Sequence, residues 1–213
     1  MSGYEVAHLE DIDEATDGRE PWRPVRHHLG ITAFGINAWT GREAGDRILN
    51  EHDEADDTQE ELYLVHQGRA KFELDGEDVD APAGTFVFAR PGVKRTAFAE
   101  EPGTTIVAVG GTPGEAYQAS GWEVWAPYRL LYEAGDYAAA ADAARPTVEA
   151  NPQYALPMYN LACVESLAGR KDEAIEHLRS AVERSEQLRD FAKEDSDLDP
   201  IRQEPAVKEL LGS

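Results

Sequence analysis

The chain has 213 residues, and its 42 acidic and 20 basic residues give a formal net charge of −22 at pH 7. A surface of this charge repels nucleic acids and anionic membranes, so neither is expected as a partner. A hydrophobic fraction of 41% is enough to form packed cores in one large domain or two small ones.

The cysteine content and the N-terminal sequence predict the compartment. Cys163 is the only cysteine, so the chain has no disulfide framework. The N-terminal residues lack a basic segment followed by an apolar one, and no apolar run approaches the length of a membrane span. We therefore expect a cytoplasmic protein in a reducing environment.

Residues 1–25 form an acidic arm in this interpretation. Val6, Leu9 and Ile12 recur at helical spacing, and Asp17-Gly18 ends the pattern. The arm is therefore expected to contain a short helical turn or to lead into a strand.

Residues 26–114 change to a period of two. Apolar residues alternate along residues 31–38, and Asn37 and Trp39 share one strand face. The adjacent histidines before this run, residues 27–28, are expected at the surface or where the strand begins. Similar runs lie at residues 62–65, 70–74, 85–89 and 104–110. Each is followed by a turn-forming Gly, Asp-Gly or Pro-Gly or ends in a pair of glycines. Short antiparallel strands joined by tight turns predict a barrel or a sandwich.

An acidic segment, residues 50–61, lies between two of these runs. It could act as the lid of a pocket, as a weak cation site, or as a solvated hairpin loop. Runs of charge are usually solvated, so the last interpretation is preferred.

Two spacings in this region are typical of a known family. Six residues separate Glu61 from Gly68, and Gly84 is followed by Arg90-Pro91-Gly92. These spacings resemble the two motifs of the cupins, G-x5-H-x-H-x3/4-E-x6-G and G-x5-P-x-G-x2-H-x3-N. The resemblance implies that residues 26–114 fold as an antiparallel β jelly-roll barrel.

Metal-binding cupins take their ligands from the two histidines and the glutamate of the first motif and the histidine of the second. In this sequence the last position holds Arg95, and residues 54–57 (Glu-Ala-Asp-Asp) replace the paired histidines. A guanidinium cannot ligate a metal, because it stays protonated and has no free lone pair. We therefore predict no cofactor. The alternative is a divalent transition metal held by His52, Glu54 and Glu61.

The resemblance also implies that Glu61 and Arg95 point into the barrel from neighbouring strands, where burial makes them pair. This pair is either a structural salt bridge or a binding site in which Arg95 holds the carboxylate or phosphate of a small ligand and Glu61 orients it. Tyr63 shares the face of Glu61 and adds a hydroxyl donor. With Asn37 and Trp39, these residues form the predicted ligand-binding set.

The period becomes helical after residues 115–123, the predicted joint between two domains. In residues 124–213, Gly169 follows Gly135 by 34 residues, and the sequences around both glycines are similar. This period resembles the tetratricopeptide repeat, a helix-turn-helix unit. The resemblance implies an α-helical hairpin array that binds peptides or proteins, with Asn160 as a protein-binding residue. The whole chain is thus predicted to be a two-domain α+β protein.

Three functions remain open. The preferred one is a cupin-type binding or scaffold module coupled to a helical-repeat protein-interaction domain. The module would bind a small ligand, which could be an anion. The second is a metal-dependent dioxygenase or isomerase that uses His52 and Glu61. The third is a metal-free enzyme with Glu61 as general base, which Arg95 disfavours because a neighbouring cation lowers the pKa of a carboxyl group. A homodimer is expected by analogy with other cupins.

Overall fold

The computed structural model describes residues 4–16, 21–55 and 58–212. Asp17-Gly18, the predicted end of the helical pattern in the arm, lies outside the described residues, as do residues 56–57 of the acidic segment. The chain divides into two compact units, Met1–Ala119 and Ser120–Ser213, and the predicted joint spans the boundary between them. Among the described helices, none is long and apolar enough to cross a membrane.

The first unit is a sandwich of two antiparallel sheets. Its strands are β1 (Trp22–Arg23), β2 (Gly35–Thr40), β3 (Arg47–His52), β4 (Glu60–Gln67), β5 (Arg69–Leu74), β6 (Glu77–Pro82), β7 (Phe86–Ala89), β8 (Arg95–Ala99) and β9 (Thr105–Gly111). The strand orders are β1-β2-β9-β4-β7 and β3-β8-β5-β6. Strands β2–β9 paired in this way form a jelly roll, and β1 extends one sheet at its edge.

The segment before β2 differs from the sequence-based expectation. A short helix, α1 (Val25–His28), contains both histidines, so neither begins a strand; His28 is exposed, as expected, and His27 is half-buried. Gly30 follows this helix with a φ of +63°, a conformation that favours glycine and that turns the chain out of the helical path. The strand that was expected from residue 31 therefore begins only at Gly35.

The core of the sandwich follows from the alternation along the strands. Inward side chains of β4, β5 and β9 form its centre, where Val65, Phe72 and Ile106 are fully buried. Burying each such side chain stabilises the fold by about 1.5–3 kcal/mol. Gly68 joins β4 to β5 at a φ of +74°, and a Cβ there would lie 2.5 Å from the hydroxyl of Thr104. Both conditions select glycine at this turn.

The second unit is helical, and residues 126–128 form a short 3-10 turn between its first two helices. Its helices are α2 (Gly121–Trp125), α3 (Arg129–Glu133), α4 (Tyr137–Glu149), α5 (Ala155–Leu167), α6 (Lys171–Arg184), α7 (Glu186–Ala192) and α8 (Pro205–Leu211). Ser120 and Glu123 form a capping box at the start of α2.

The helices α4, α5 and α6 pack closely because small residues line their contacts. Ala140, Ala144, Ala174 and Ala181 are all fully buried. A buried ionic network also joins the three helices: Arg145 of α4 and His177 of α6 both contact the carboxylate of Glu165 on α5, at 2.7 and 2.6 Å. Since Glu165 is fully buried, these two partners compensate a charge that would otherwise be costly to desolvate.

Candidate functional site

The candidate site lies inside the sandwich, where residues from both sheets meet. Glu61 lies on β4 of the five-stranded sheet and Arg95 lies on β8 of the four-stranded sheet. They therefore meet across the interior and not from neighbouring strands, as the sequence had suggested. The Nη2 group of Arg95 donates a hydrogen bond to Oε2 of Glu61.

Arg95 is held on several sides. Its side chain is 0% exposed. The Nε group donates to the hydroxyl oxygen of Tyr63 at 3.1 Å and to Glu61 Oε2 at 3.2 Å, and Nη1 donates to the carbonyl of Val93 at 3.0 Å. A cation this deeply buried is stable only because these acceptors surround it. Arg95 therefore forms the closed, inner side of the site.

Tyr63 links the arginine to the carboxylate. Its hydroxyl accepts from Arg95 and donates to Glu61 Oε2, and its ring packs 5.7 Å from the ring of Phe72. Burial of the hydroxyl and the nearby charge of Glu61 raise the pKa of Tyr63 well above 10. The phenol thus stays protonated and acts as a fixed hydrogen-bond donor.

His52, at the end of β3, also reaches the site. Its Nδ1 lies 2.7 Å from the carbonyl oxygen of Asn50, and its Nε2 lies 3.0 Å from Oε2 of Glu61. Both partners are acceptors only, so satisfying both contacts requires a proton on each ring nitrogen. The geometry therefore describes a positively charged imidazolium.

The electrostatic balance at His52 agrees with this assignment. Burial lowers the pKa of the imidazole, but the hydrogen bonds with Glu61 and Asn50 and the charge of Glu61 outweigh it, so the pKa is raised above 6.5. The His52 side chain is 31% exposed, which makes it the most accessible member of the group.

Glu61 is the centre of the hydrogen-bond network. Burial raises its pKa, but hydrogen bonds from His52, Tyr63 and Arg95 outweigh burial and lower the pKa from 4.5 to about 2. The side chain is 17% exposed. Glu61 is therefore ionised at neutral pH. Its carboxylate is held by Arg95 and Tyr63 on the buried side and remains partly exposed on the other side.

Three of these residues could hold a metal ion. One ligand atom each from His52, Glu54 and Glu61 lies within 4.8 Å of the others. A transition metal in this arrangement would need the lone pair of His52 Nε2, so the ring would have to give up the proton that its contact with Glu61 requires. It would also have to share Glu61 with the guanidinium of Arg95.

The remaining predicted ligand-binding residues lie further away. Asn37, Ala108 and Tyr63 are aligned in one row across β2, β9 and β4, so Asn37 is two strands from Tyr63. Trp39 packs against the ring of Trp22 at 6.4 Å. The structure thus brings Glu61, Arg95, Tyr63, His52 and Glu54 together. Trp39 is aligned with Ile106 and Val65 and not with Glu61, so its predicted place in the ligand-binding set is wrong. Asn160 lies on α5 of the other unit, where it is half-buried.

Tyr117 is a residue near the site that the sequence analysis missed. Gly35 and Gly110 are aligned with Glu61 across β2, β9 and β4. A Cβ on Gly35 would lie 2.6 Å from the hydroxyl of Tyr117, so this ring occupies the space that the glycine leaves open. An isolated glycine within an apolar strand was the available signal, because it often marks a close approach of another group.

Comparisons with known proteins add the following. No family model matches the chain, and no curated protein matches it. Solved structures similar to the N-terminal part, about 55% of the chain, are cupin or double-stranded β-helix proteins. The strand order given above defines the first unit as a cupin-like β sandwich.

Three of these structures illustrate the similarity. A cupin protein from Bacteroides fragilis has 16% identity and a TM-score of 0.43, over 56% of this chain and 93% of that one. A sugar phosphate isomerase from a cupin superfamily, from Silicibacter pomeroyi, has 19% identity and a TM-score of 0.42, over 55% and 82%. A conserved protein with a double-stranded β-helix domain from Klebsiella pneumoniae has 16% identity and a TM-score of 0.43, over 55% and 99%.

Proposed function

We propose that the first unit is a metal-free binding module for a small polar ligand. The observation that supports this most strongly is the asymmetry of the site. Arg95 and Tyr63 fix Glu61 from the buried side, whereas Glu61 and His52 remain partly exposed on the other side. Groups whose positions are fixed before binding lose little freedom when a ligand arrives, and this favours affinity.

The charges define the class of ligand. The groups that a ligand can reach are the carboxylates of Glu61 and Glu54 and the imidazolium of His52, and the guanidinium of Arg95 lies behind them. Carboxylates accept hydrogen bonds, so a ligand with hydroxyl or amine donors is favoured over the carboxylate or phosphate considered from the sequence. Arg95 then acts as the structural partner of Glu61.

General-base catalysis by Glu61 is not favoured. A carboxylate with a pKa of about 2 holds a proton too weakly to serve as an efficient base near neutral pH. The module is therefore proposed to bind its ligand without chemistry.

A metal-dependent enzyme of the dioxygenase or isomerase class is the second candidate. It is favoured by one observation, the proximity of the three potential ligand atoms of His52, Glu54 and Glu61. Metal binding would require His52 to lose its Nε2 proton, so metal affinity would rise with pH.

Elemental analysis of the protein purified without added metal separates the two candidates. We expect substoichiometric Fe, Mn, Ni and Zn, and an imidazolium signal from His52 in NMR spectra at pH 7. A stoichiometric transition metal that is lost in His52→Ala but retained in His66→Ala would contradict the proposal. His66 is the matched control, because it is an exposed histidine on the same strand as Glu61.

A thermal-shift screen tests the ligand class. Polyols, primary amines and monocarboxylates are compared at equal concentration, and a polyol or amine is expected to stabilise the wild type and not Glu61→Gln. Stabilisation by carboxylates alone would show that an anion is the preferred ligand.

We propose that the second unit is a tetratricopeptide-like interaction module for a peptide or protein. Gly135 lies between α3 and α4 and Gly169 lies between α5 and α6, and both have a φ of +77°. This repeated helix–glycine–helix arrangement supports two equivalent hairpins. A peptide-array screen tests whether Asn160 contacts the bound peptide. We expect the wild type to select a common sequence motif and Asn160→Ala to lose that selection.

A further inference from the structure

We infer that Tyr117 contacts the ligand of the first unit and limits the length of the ligand that fits. This inference rests on the binding function proposed above, and it adds a residue to the site around Glu61. Tyr117 lies in residues 112–118, which follow β9 and belong to the first unit. Its neighbours Ala116 and Gln118 are exposed, whereas Tyr117 is half-buried.

The strand register shows that Gly35 faces the interior of the sandwich. Gly35 and Asn37 are two residues apart on β2, so they face the same side of the sheet. Asn37 lies in one row with Tyr63, whose hydroxyl accepts a hydrogen bond from Arg95 of the opposite sheet. A side chain at Gly35 would therefore point to the inner side, which also carries Glu61.

The phenol of Tyr117 occupies that inner side. A Cβ on Gly35 would lie 2.6 Å from the hydroxyl oxygen, 2.8 Å from Cζ and 2.9 Å from Cε2 of Tyr117. The guanidinium carbon of Arg26 lies 5.7 Å from the centre of the ring, a distance at which a cation and an aromatic face attract each other. Arg26 thus helps to fix the ring, and the hydroxyl end of the ring enters the sandwich at Gly35.

Within this row, no side chain lies between the Tyr117 hydroxyl and Glu61. Gly35, Gly110 and Glu61 are aligned across β2, β9 and β4. A Cβ on Gly110 would lie 3.2 Å from Cγ of Glu61, so the glycine leaves room beside that side chain. Neighbouring strands are about 4.8 Å apart, which places the backbones of Gly35 and Glu61 about 10 Å from each other. The row therefore has a phenol at one end and a carboxylate at the other.

The two ends of the row define the ligand more closely. The Glu61 carboxylate only accepts hydrogen bonds, whereas the phenol of Tyr117 can donate one and accept another. A ligand with a hydroxyl or amine donor at one end and a hydroxyl at the other satisfies both groups. Because Tyr117 fills the far end of the row, it also sets the longest ligand that fits. Short polyols and amino alcohols should therefore bind more tightly than long ones.

NMR titration of the full chain tests the inference. The ring signals of His52 are the reporter, because this histidine contacts Glu61. The probes are linear polyols from glycerol to sorbitol and linear amino alcohols from ethanolamine to aminohexanol. Tyr117→Phe keeps the ring and removes the hydroxyl, so it should raise the Kd of the short probes about five- to ten-fold, the effect of one lost hydrogen bond. Tyr117→Ala opens the far end of the row and should abolish the preference for short probes.

Gly35→Ala tests the same position without changing Tyr117. Gly35 does not have a positive φ, so alanine suits the strand, but its Cβ would displace the phenol. This variant should weaken binding as Tyr117→Phe does. Gly111→Ala is the matched control and should bind like the wild type, since Gly111 also lacks a positive φ and a Cβ there would meet nothing within 4 Å. If Gly35→Ala does not keep the circular dichroism spectrum of the wild type, Tyr117→Phe still decides the question.

The outcomes separate the role of Tyr117 from the binding function itself. If Glu61→Gln loses binding while Tyr117→Phe and Gly35→Ala bind like the wild type, the binding function stands and the role of Tyr117 is refuted. Equal weakening by Gly35→Ala and Gly111→Ala would also refute it, and so would a Tyr117→Ala variant that weakens every probe equally. If no probe shifts the His52 signals of the wild type, both proposals fail.

Discussion

Replacing Arg95 by Met or by Ala tests whether the buried pair stabilises the first unit. Arg95→Ala removes both the charge and the volume of a fully buried side chain, and it leaves Glu61 without the guanidinium that faces it from the opposite sheet. Arg95→Met also removes the charge but fills most of the space. We therefore expect Arg95→Met to be tolerated better than Arg95→Ala or Glu61→Ala.

The size of the effect follows from the burial of the pair. Breaking a buried ion pair by removing one partner costs about 3–5 kcal/mol. The lowered pKa of Glu61 shows that its ionised form is stabilised in the folded state, by His52 and Tyr63 as well as by Arg95. Arg95→Ala should thus cost about 3–5 kcal/mol, and Arg95→Met about half as much because no large cavity remains. The double variant Glu61→Gln/Arg95→Met should lie closer to the wild type than either Ala variant, since it removes both charges of the buried Arg95–Glu61 pair.

Hydrogen exchange of peptides from β4 and β8 is the appropriate assay, because it measures the sandwich separately from the helices. Arg69→Met is the matched control, since it breaks the exposed pair with Asp80 in the same sandwich and should change stability little. If Arg95→Ala and Glu61→Ala were as mild as Arg69→Met, the pair would contribute nothing and the reasoning would fail.

Three further predictions concern pH and backbone. Because folding lowers the pKa of Glu61, its stabilising contribution is complete above pH 4.5 and is lost as the pH falls towards 2, so the stability difference between wild type and Glu61→Gln should shrink in acid urea titrations. Burial lowers the pKa of His177, but the hydrogen bond and charge of Glu165 outweigh it and raise the pKa. The stabilisation of the helical unit by protonated His177 should therefore be complete below pH 6.5 and disappear as the pH rises through the raised pKa. Urea unfolding followed by helical ellipticity would detect this pH dependence, and His177→Gln should abolish it. Gly68→Ala should lower the melting temperature more than Gly76→Ala, because both residues have positive φ but only Gly68 would also clash; equal melting temperatures would refute the clash.

Local patterns predicted several elements because those elements bury one face. The alternation at residues 62–65 and 70–74 lies within β4 and β5, and the apolar spacing around Ala174 and Leu178 lies within α6. Strands β3, β6 and β8 were not predicted because their apolar alternation is short. For example, β6 has only two alternating apolar residues, Val79 and Ala81, before its terminal Pro82, and its pairing with β5 at the edge of the sheet makes it a strand.

The site shows the same division. The pairing of Glu61 with Arg95 was predicted from the family resemblance. Only the structure shows that the two residues meet across the interior and that His52 joins them. His52 lies further from Glu61 along the chain than the family spacing allows, but the fold places its Nε2 3.0 Å from Oε2 of Glu61. The protonated state of His52 depends on a carbonyl and a carboxylate that only the fold brings to its two nitrogens.

The sequence by itself determined that the first part of the chain is largely extended and the second part helical, because side-chain periodicity and glycine turns act over a few neighbouring residues. It also determined that position 95 carries a permanent cation. Only the tertiary structure decided that this cation is fully buried and that it faces Glu61 from the opposite sheet. Those facts depend on strand order and register, which arise from hydrogen bonds between residues far apart in the chain.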